Sequence, residues 1–260
     1  MNGNSDFSHT SLSSSILNEY KKFAPYYHDV GIARGHFSLQ TKFLLDILKF
    51  YKNCTVLDAA CASGDVLNNL GGICASFTLF GTDGCSEFIT QAEITSKHRN
   101  IIFSCVNWND LPQHFEEESF DFIIILGNSI GHVSSINEFY SLLTNIYRLL
   151  KKGGNFIFDL RPWIFDKKNI NFNEPNGNSN ILYLSNNARY ETSYLYKNQR
   201  HCLTHQIYDR NGILQDTILL SFLDFSKVNL EHIFGESNFS IEKKYYDPGN
   251  YPFLTYHLRK

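Results

Sequence analysis

The stretch from Thr55 to Gly64, TVLDAACASG, constrains the fold more than any other part of the chain. Val56 and Leu57 are apolar and β-favouring, as a strand buried on both faces requires. Asp58 closes that strand. Ala59, Ala60, Ala62, Ser63 and Gly64 then make a turn of small side chains that lets a ligand approach the backbone, and a helix starts near Asp65. The helix N-terminus presents unpaired N–H groups to such a ligand. Strand, small-residue turn and helix in this order form the first βα turn of a doubly wound sheet, where such folds bind nucleotides.

The turn itself narrows the ligand. A dinucleotide site favours G-x-G-x-x-G with a pyrophosphate over the helix, whereas this turn, A-C-A-S-G, has a single glycine. The Asp58 charge repels a pyrophosphate and suits an ammonium or a sulfonium. S-adenosylmethionine carries both groups and no phosphate.

The rest of the chain repeats the same alternation. An amphipathic helix is expected over Ser13–Phe23, with APYYHDVGIARGH as a loop after it, and a second helix over Leu39–Tyr51. Strands are expected at Phe77–Thr82, ending at Asp83, at Ile101–Cys105, at Phe120–Leu126 and at Asn155–Leu160. Helices fall at Glu87–His98 and Ile136–Leu150, the latter stopped by Lys151-Lys152-Gly153-Gly154. Residues 166–180 read as a linker. Residues 181–225 alternate polar and apolar, and Asn211-Gly212 between two such runs signals a hairpin, so this part reads as an antiparallel insertion. A helix at Lys227–Phe234 and strands at Phe239–Tyr246 and Phe253–Leu258 close the chain. Five βα units and two final strands make an α/β, doubly wound, mostly parallel sheet of seven strands with an antiparallel lid. Residues 1–10 are expected to be disordered.

Composition excludes several functions. A net charge of −3 and a pI near 6.4 provide no basic field for nucleic acid. No apolar run approaches a membrane span, and the N-terminus lacks a signal-peptide core. The six cysteines form no C-x-x-C pair and mostly sit in apolar segments, which reads as reduced, buried thiols. The ten histidines show no metal-ligand spacing, so no metal is expected. The expected location is the cytoplasm. Homo-oligomer formation is left open.

Asp58, Asp83, Asn107 and the group Gly127-Asn128-Ser129 fall just past strand C-termini, on the ligand-binding rim of such a sheet. Asp83, nineteen positions after Gly64, suits a ribose diol. Asn128 and His132 are four apart, so one helical turn would aim both the same way. Arg161 follows the fifth strand on the same rim, and its planar fork matches a carboxylate. A nicotinamide-dependent oxidoreductase shares this layout, and so does a non-catalytic cofactor-binding subunit.

With VLDAAC at 56–61, Asn107-Trp108, LGNSIGH at 126–132, LLKKGGNFIFDLR at 149–161, NILY at 180–183 and TSYL at 192–195, the chain resembles class I S-adenosylmethionine-dependent methyltransferases. Within them it is most similar to glycine N-methyltransferase and the glycine/sarcosine methyltransferases. The resemblance implies a Rossmann-like methyltransferase fold with S-adenosylmethionine as cofactor. It implies a segment covering the cofactor over residues 1–35, a core over 36–165 and 226–260, and a lid over 166–225. By resemblance, Ala60, Asp83, Gly84, Asn107, Trp108, Leu126 and His132 contact the cofactor, joined by Asp58, and Arg34 reaches its carboxylate. Tyr27, Asn128, Arg161 and Tyr208 contact the acceptor, with Tyr183 close by, and Asn128, Arg161 and Tyr27 carry the transfer. The implied acceptor is a small amino acid or amine. A heterocyclic or natural-product acceptor is the alternative, because the lid is aromatic. Ala62, Ser63 and Gly131 depart from the family's usual residues, as does Ala24 where a tryptophan is usual.

Overall fold

The protein was described from a computed structural model, which covers residues 11–161, 180–247 and 251–260. The 1–10 segment and most of the expected linker lie outside these residues.

Helix α1 spans Ser11–Ala33. It continues through the stretch expected to be a loop, with Pro25 inside it. Proline costs a helix one hydrogen bond and a clash with the preceding turn, but Phe23, Ala24 and Val30 are all buried and hold the segment helical across it. Helix α2 spans His36–Leu48. The core then runs β1 (Thr55–Asp58), α3 (Asp65–Ile73), β2 (Thr78–Asp83), α4 (Ser86–Thr95), β3 (Ile101–Cys105), a short α5 (Leu111–His114), β4 (Phe120–Ile125), α6 (Ile136–Leu149) and β5 (Leu150–Leu160). Lys151-Lys152-Gly153-Gly154 was expected to end the helix, but it lies in β5. Gly153 takes φ 71 at a register break between β4 and β5, and Lys151 reaches Asp121 at 2.8 Å. Pairing with β4 and its carboxylate therefore outcompetes a helix cap.

The segment expected to form the lid has four strands: β6 (Asn180–Tyr183), β7 (Arg189–Lys197), β8 (Arg200–Tyr208) and β9 (Leu214–Leu223). They form an antiparallel meander in chain order. The Asn211-Gly212 turn joins β8 to β9, with Gly212 at φ 80. Helix α7 (Leu230–Glu236), β10 (Ser240–Asp247) and β11 (Tyr251–Arg259) complete the chain.

The main sheet has seven strands in the order β10-β11-β5-β4-β1-β2-β3. Pairs among β1 to β5 are parallel, and β11 is antiparallel to both β5 and β10. The order reverses at β1, with β2 and β3 on one side and β4 on the other, so the crevice beyond β1 and β4 is the topological switch point. Phe122, Ile123, Ile124 and Ile125 on the central strand are fully buried, as a strand covered on both faces must be. Helix α1 lies across the carboxyl rim and touches the lid. The Glu19 carboxylate accepts from the Leu219 N–H on the edge of β9, and the Tyr26 hydroxyl donates to Asp216 at 2.5 Å. Cys105, expected to be buried, is exposed at the end of edge strand β3.

Candidate active site

The rim is built from strand ends. Asp58 ends β1, is buried, and accepts from the Ala60 N–H at 3.2 Å. Ala62 sits at φ 45 and Gly64 at φ 74, so the small-residue turn folds back on itself. That return lets the Ala62 N–H donate to Asp83 at 3.0 Å, while the Cys85 N–H donates to the other Asp83 oxygen at 2.9 Å. Asp83 is thereby fixed with its carboxylate at the cleft.

Past β4, Gly127 and Asn128 both take left-handed backbone, at φ 73 and φ 64. Asp159 of β5 holds this strained turn: its carboxylate accepts from the Gly127 N–H at 3.1 Å, the Asn128 N–H at 2.6 Å and the Tyr251 hydroxyl at 2.5 Å. The turn continues into a 3-10 segment, Ser129–His132, rather than an α-helical turn. The α-helical turn from which Asn128 and His132 were expected to point the same way is therefore not formed. His132 faces the cleft. Asn128 is buried, its Oδ1 accepts from the Arg161 N–H at 2.9 Å, and its Nδ2 has no hydrogen-bond partner. A buried amide without a partner is costly and suits a ligand oxygen.

Two cavities meet on this rim. The first, about 290 Å³, is lined by Ala60, Ala62, Asp83, Asn107, Trp108 and His132, with Ile16, Leu17 and Tyr20 of α1 as its cover. Trp108 donates its ring N–H to the Ala59 carbonyl at 2.6 Å. Gly84 is part of the wall, where a Cβ would come within 2.2 Å of Asn107 Oδ1. The second cavity, about 70 Å³, is lined by Arg34, His36, Gln40, Arg161, Tyr190 and His205 among others. Tyr20, Tyr27 and Ser129 line both.

The cavities differ in charge. Burial pushes the Asp58 carboxyl up to about 7 and the Asp83 carboxyl up to about 6. Desolvation disfavours the charged form of each. The second cavity has the opposite character. Burial and the neighbouring Arg34 pull Arg161 down to about 10, which leaves it charged at neutral pH. His36 and His205 are pushed down to about 3 by burial and by the two guanidiniums, so both are neutral. No Asp or Glu is among the described residues lining this cavity. Arg34 is held over the Tyr190 ring at 5.1 Å and donates to Thr192 at 3.1 Å.

The structure thus brings Tyr27, Ala60, Asp83, Gly84, Asn107, Trp108 and His132 to the first cavity, and Tyr27, Arg34 and Arg161 to the second. Asp58, Leu126 and Asn128 are buried and line neither cavity. Tyr183 and Tyr208 line neither cavity. Tyr183 is 71% exposed, and Tyr208 lies under the Arg189 guanidinium at 4.2 Å. Tyr190 and His205 of the lid occupy the cavity instead. Sequence reading missed both, along with Tyr20, His36 and Asp159. The alternation of β7 and β8 does place Tyr190, Thr192 and His205 on the buried face, but not opposite Arg161.

Residues 56–154 match a family described as a methyltransferase domain. Over 126 residues the chain is 31% identical to a glycine/sarcosine N-methyltransferase of Aphanothece halophytica, a match covering 48% of this chain and 46% of that protein. The alignment thus spans less than half of the relative's length. Among solved structures, an S-adenosylmethionine-dependent methyltransferase from Clostridium acetobutylicum superposes with a TM-score of 0.72 at 18% identity, over 92% of this chain and 98% of the other. A sugar N-methyltransferase from a Streptoalloteichus species gives 0.64 at 14% identity, over 98% and 97%. Both likenesses are of fold.

Proposed function

We propose that this chain is a class I, S-adenosylmethionine-dependent methyltransferase, a reading supported by its fold and its central domain, and that it methylates the nitrogen of a small acceptor bearing a carboxylate, such as an amino acid. The observation that carries this reading is the second cavity, where the Arg34 and Arg161 guanidiniums stand beside two neutral imidazoles. A guanidinium is a planar fork of donors that matches a carboxylate.

The first cavity fits the donor. Asp83 presents a carboxylate to a diol at a strand end, Asp58 offers an anion to an ammonium, and small residues leave the backbone open. When bound, S-adenosylmethionine supplies an activated methyl on a sulfonium. In this assignment Asp83, Gly84, Asn107, Trp108 and His132 hold the adenosyl part, and Asp58, Ala60 and Leu126 hold the amino-acid end. Arg34 lines the second cavity, so in this assignment the donor's amino-acid end extends past the junction to bring its carboxylate to Arg34.

Arg161 and the free Asn128 Nδ2 then take the acceptor carboxylate, with Tyr27 at the junction. The same two guanidiniums disfavour an ammonium beside them. They lower the acceptor's pKa from its ordinary value of about 10, so that its proton leaves to solvent and the lone pair is exposed. The remaining work is alignment of two reactants, which supplies several kcal/mol or more.

A tritiated-methyl assay against amino acids, guanidino compounds and heterocycles, each paired with its decarboxylated analogue, tests the reading. Carboxylate-bearing acceptors are expected to turn over and their decarboxylated partners not. Arg161→Ala is expected to raise the acceptor KM on the order of tenfold to a hundredfold while changing donor affinity little. Equal losses in both overturn the assignment. The aromatic wall of Phe23, Tyr190, His205, Phe222 and Phe253 supports a second reading, a ring-bearing carboxylate, which the heterocycles in the same screen detect.

A further inference from the structure

Three rings of the second cavity lie nearly parallel. His205 is 5.3 Å from Phe23 and 5.5 Å from Tyr190, and Phe23 is 6.2 Å from Tyr190. Packing thus fixes the His205 ring, which is buried and lines the cavity.

Two hydroxyls converge on one of its nitrogens. The Tyr190 hydroxyl is 2.6 Å from Nδ1 and the Thr192 hydroxyl 3.3 Å from it. Thr192 Oγ1 already accepts from Arg34 at 3.1 Å, which leaves its own proton for Nδ1. The buried Tyr190 phenol has no other hydrogen-bond partner among the described residues, so its proton is satisfied only on Nδ1. Nδ1 is therefore the acceptor. Burial and the two nearby guanidiniums keep the ring neutral, so its single N–H is on Nε2. Nε2 has no hydrogen-bond partner among the described residues. It is a donor without an acceptor, on a residue that lines the cavity.

We propose that His205 is a specificity-determining residue: its Nε2–H donates to an acceptor oxygen outside the carboxylate, which selects hydroxy- or oxo-substituted amino acids over their unsubstituted analogues. The inference rests on the carboxylate-acceptor reading above, in which Arg161 and Asn128 take the carboxylate. Arg161 follows β5 of the main sheet and His205 stands on β8 of the other sheet, so the two reach the acceptor from different elements. A neutral N–H pairs with a hydroxyl or carbonyl without adding a third positive charge beside Arg34 and Arg161. An acceptor that lacks this oxygen leaves the N–H buried and unpaired, and sites of that kind reject such analogues by about tenfold or more.

Two measurements on the full chain test this. Long-range proton–nitrogen correlation spectra of the chain carrying isotope-labelled histidine read the tautomer, with His205 assigned by the signal lost in His205→Gln. The Nε2–H form is expected; the Nδ1–H form overturns the inference and leaves the carboxylate-acceptor reading intact. Calorimetry on the chain saturated with S-adenosylhomocysteine then compares L-serine with L-alanine, and L-homoserine with L-α-aminobutyrate, pairs that differ by one oxygen. At least one oxygen-bearing member is expected to bind about tenfold tighter than its partner. His205→Leu is expected to remove that preference by weakening the oxygen-bearing member about tenfold, and His205→Gln, which keeps an N–H, to recover part of it. Retained S-adenosylhomocysteine binding reports that each variant folds. No preference in the wild-type chain, or a preference that survives in His205→Leu, overturns the inference. If the wild-type chain binds no S-adenosylhomocysteine, or none of the four amino acids, the reading above falls and the role of His205 falls with it.

Discussion

Asp58 and Asp83 show how single residues set the conditions for binding. Both carboxyls are raised by burial, to about 7 and about 6. Between an unfolded value of about 4 and these folded values, the folded chain binds more protons than the unfolded one. Ligand-free stability therefore falls as pH rises through roughly 5 to 7, and is regained on acidification until other groups titrate. A cationic ligand next to Asp58 reverses the preference, because it favours the carboxylate. Donor binding is expected to release protons, and its affinity should drop as pH falls from about 7 toward 5. Calorimetry at pH 6.5 in two buffers of different ionisation enthalpy measures that release directly. A buffer-independent heat would show that the two acids do not face the ligand. Asp159, also raised to about 6, has a different task. It satisfies two N–H groups of a left-handed turn, so Asp159→Asn should lower the melting temperature as well as donor affinity, through a backbone strain of order 1–3 kcal/mol no longer held in place.

At the scale of elements, the 3-10 turn after β4 and the lid strand β9 are fitted to each other. A Cβ on Gly131 would come within 2.9 Å of the Phe222 ring and 3.0 Å of Asn128 Nδ2. Phe222 in turn lies 4.3 Å from the His132 ring. The glycine that departs from the family's usual alanine is thus the counterpart of a bulky lid residue. Gly131→Ala is expected to destabilise the protein by about 1–3 kcal/mol, and Phe222→Leu in the same chain should recover part of that loss. Additive losses in the double-mutant cycle would mean the two positions do not share the space. Helix α1 is the other element with a joint role. It covers the first cavity with Ile16, Leu17 and Tyr20 and lines the second with Phe23, Tyr27 and Val30. Its helical run past Pro25 could not be read locally, because a proline inside a segment ordinarily marks an end. Contacts far along the chain override it: Gln91 donates to the Ala24 carbonyl at 3.1 Å, and His28 meets Asp65 at 2.6 Å.

For the molecule as a whole, a ligand that occupies the first cavity touches α1, the strand ends and the turn after β4 together. Binding should therefore stabilise the fold globally, by about 2.7 kcal/mol at a hundred times the Kd. Amide exchange should slow most in α1 and around 127–132 if that cover closes on the ligand; protection confined to 58–84 would place the ligand elsewhere. The main sheet was legible in the sequence because its signals are local. Apolar runs such as FDFIIIL, with a turn-forming group at each strand end, report on neighbours a few residues apart, and they located Asp58, Asp83, Asn107 and the 127–129 group correctly on one rim. Rim position singled out Arg161 and resemblance added Arg34, and the structure places the two together in one cavity. Tyr183 and Tyr208, carried over in the same way, fall outside both cavities, since a β-strand turns alternate residues to opposite faces and Tyr190 and His205 take the inner one. By itself, then, the sequence determined the alternation of strands and helices and the chemistry of the rim, because periodicity and strand-end turns are written in adjacent residues. The tertiary structure alone decided which side chains meet at the junction, such as Tyr20 and His132 at a separation of 112 residues, because burial and hydrogen-bond direction depend on packing between elements that no local pattern encodes.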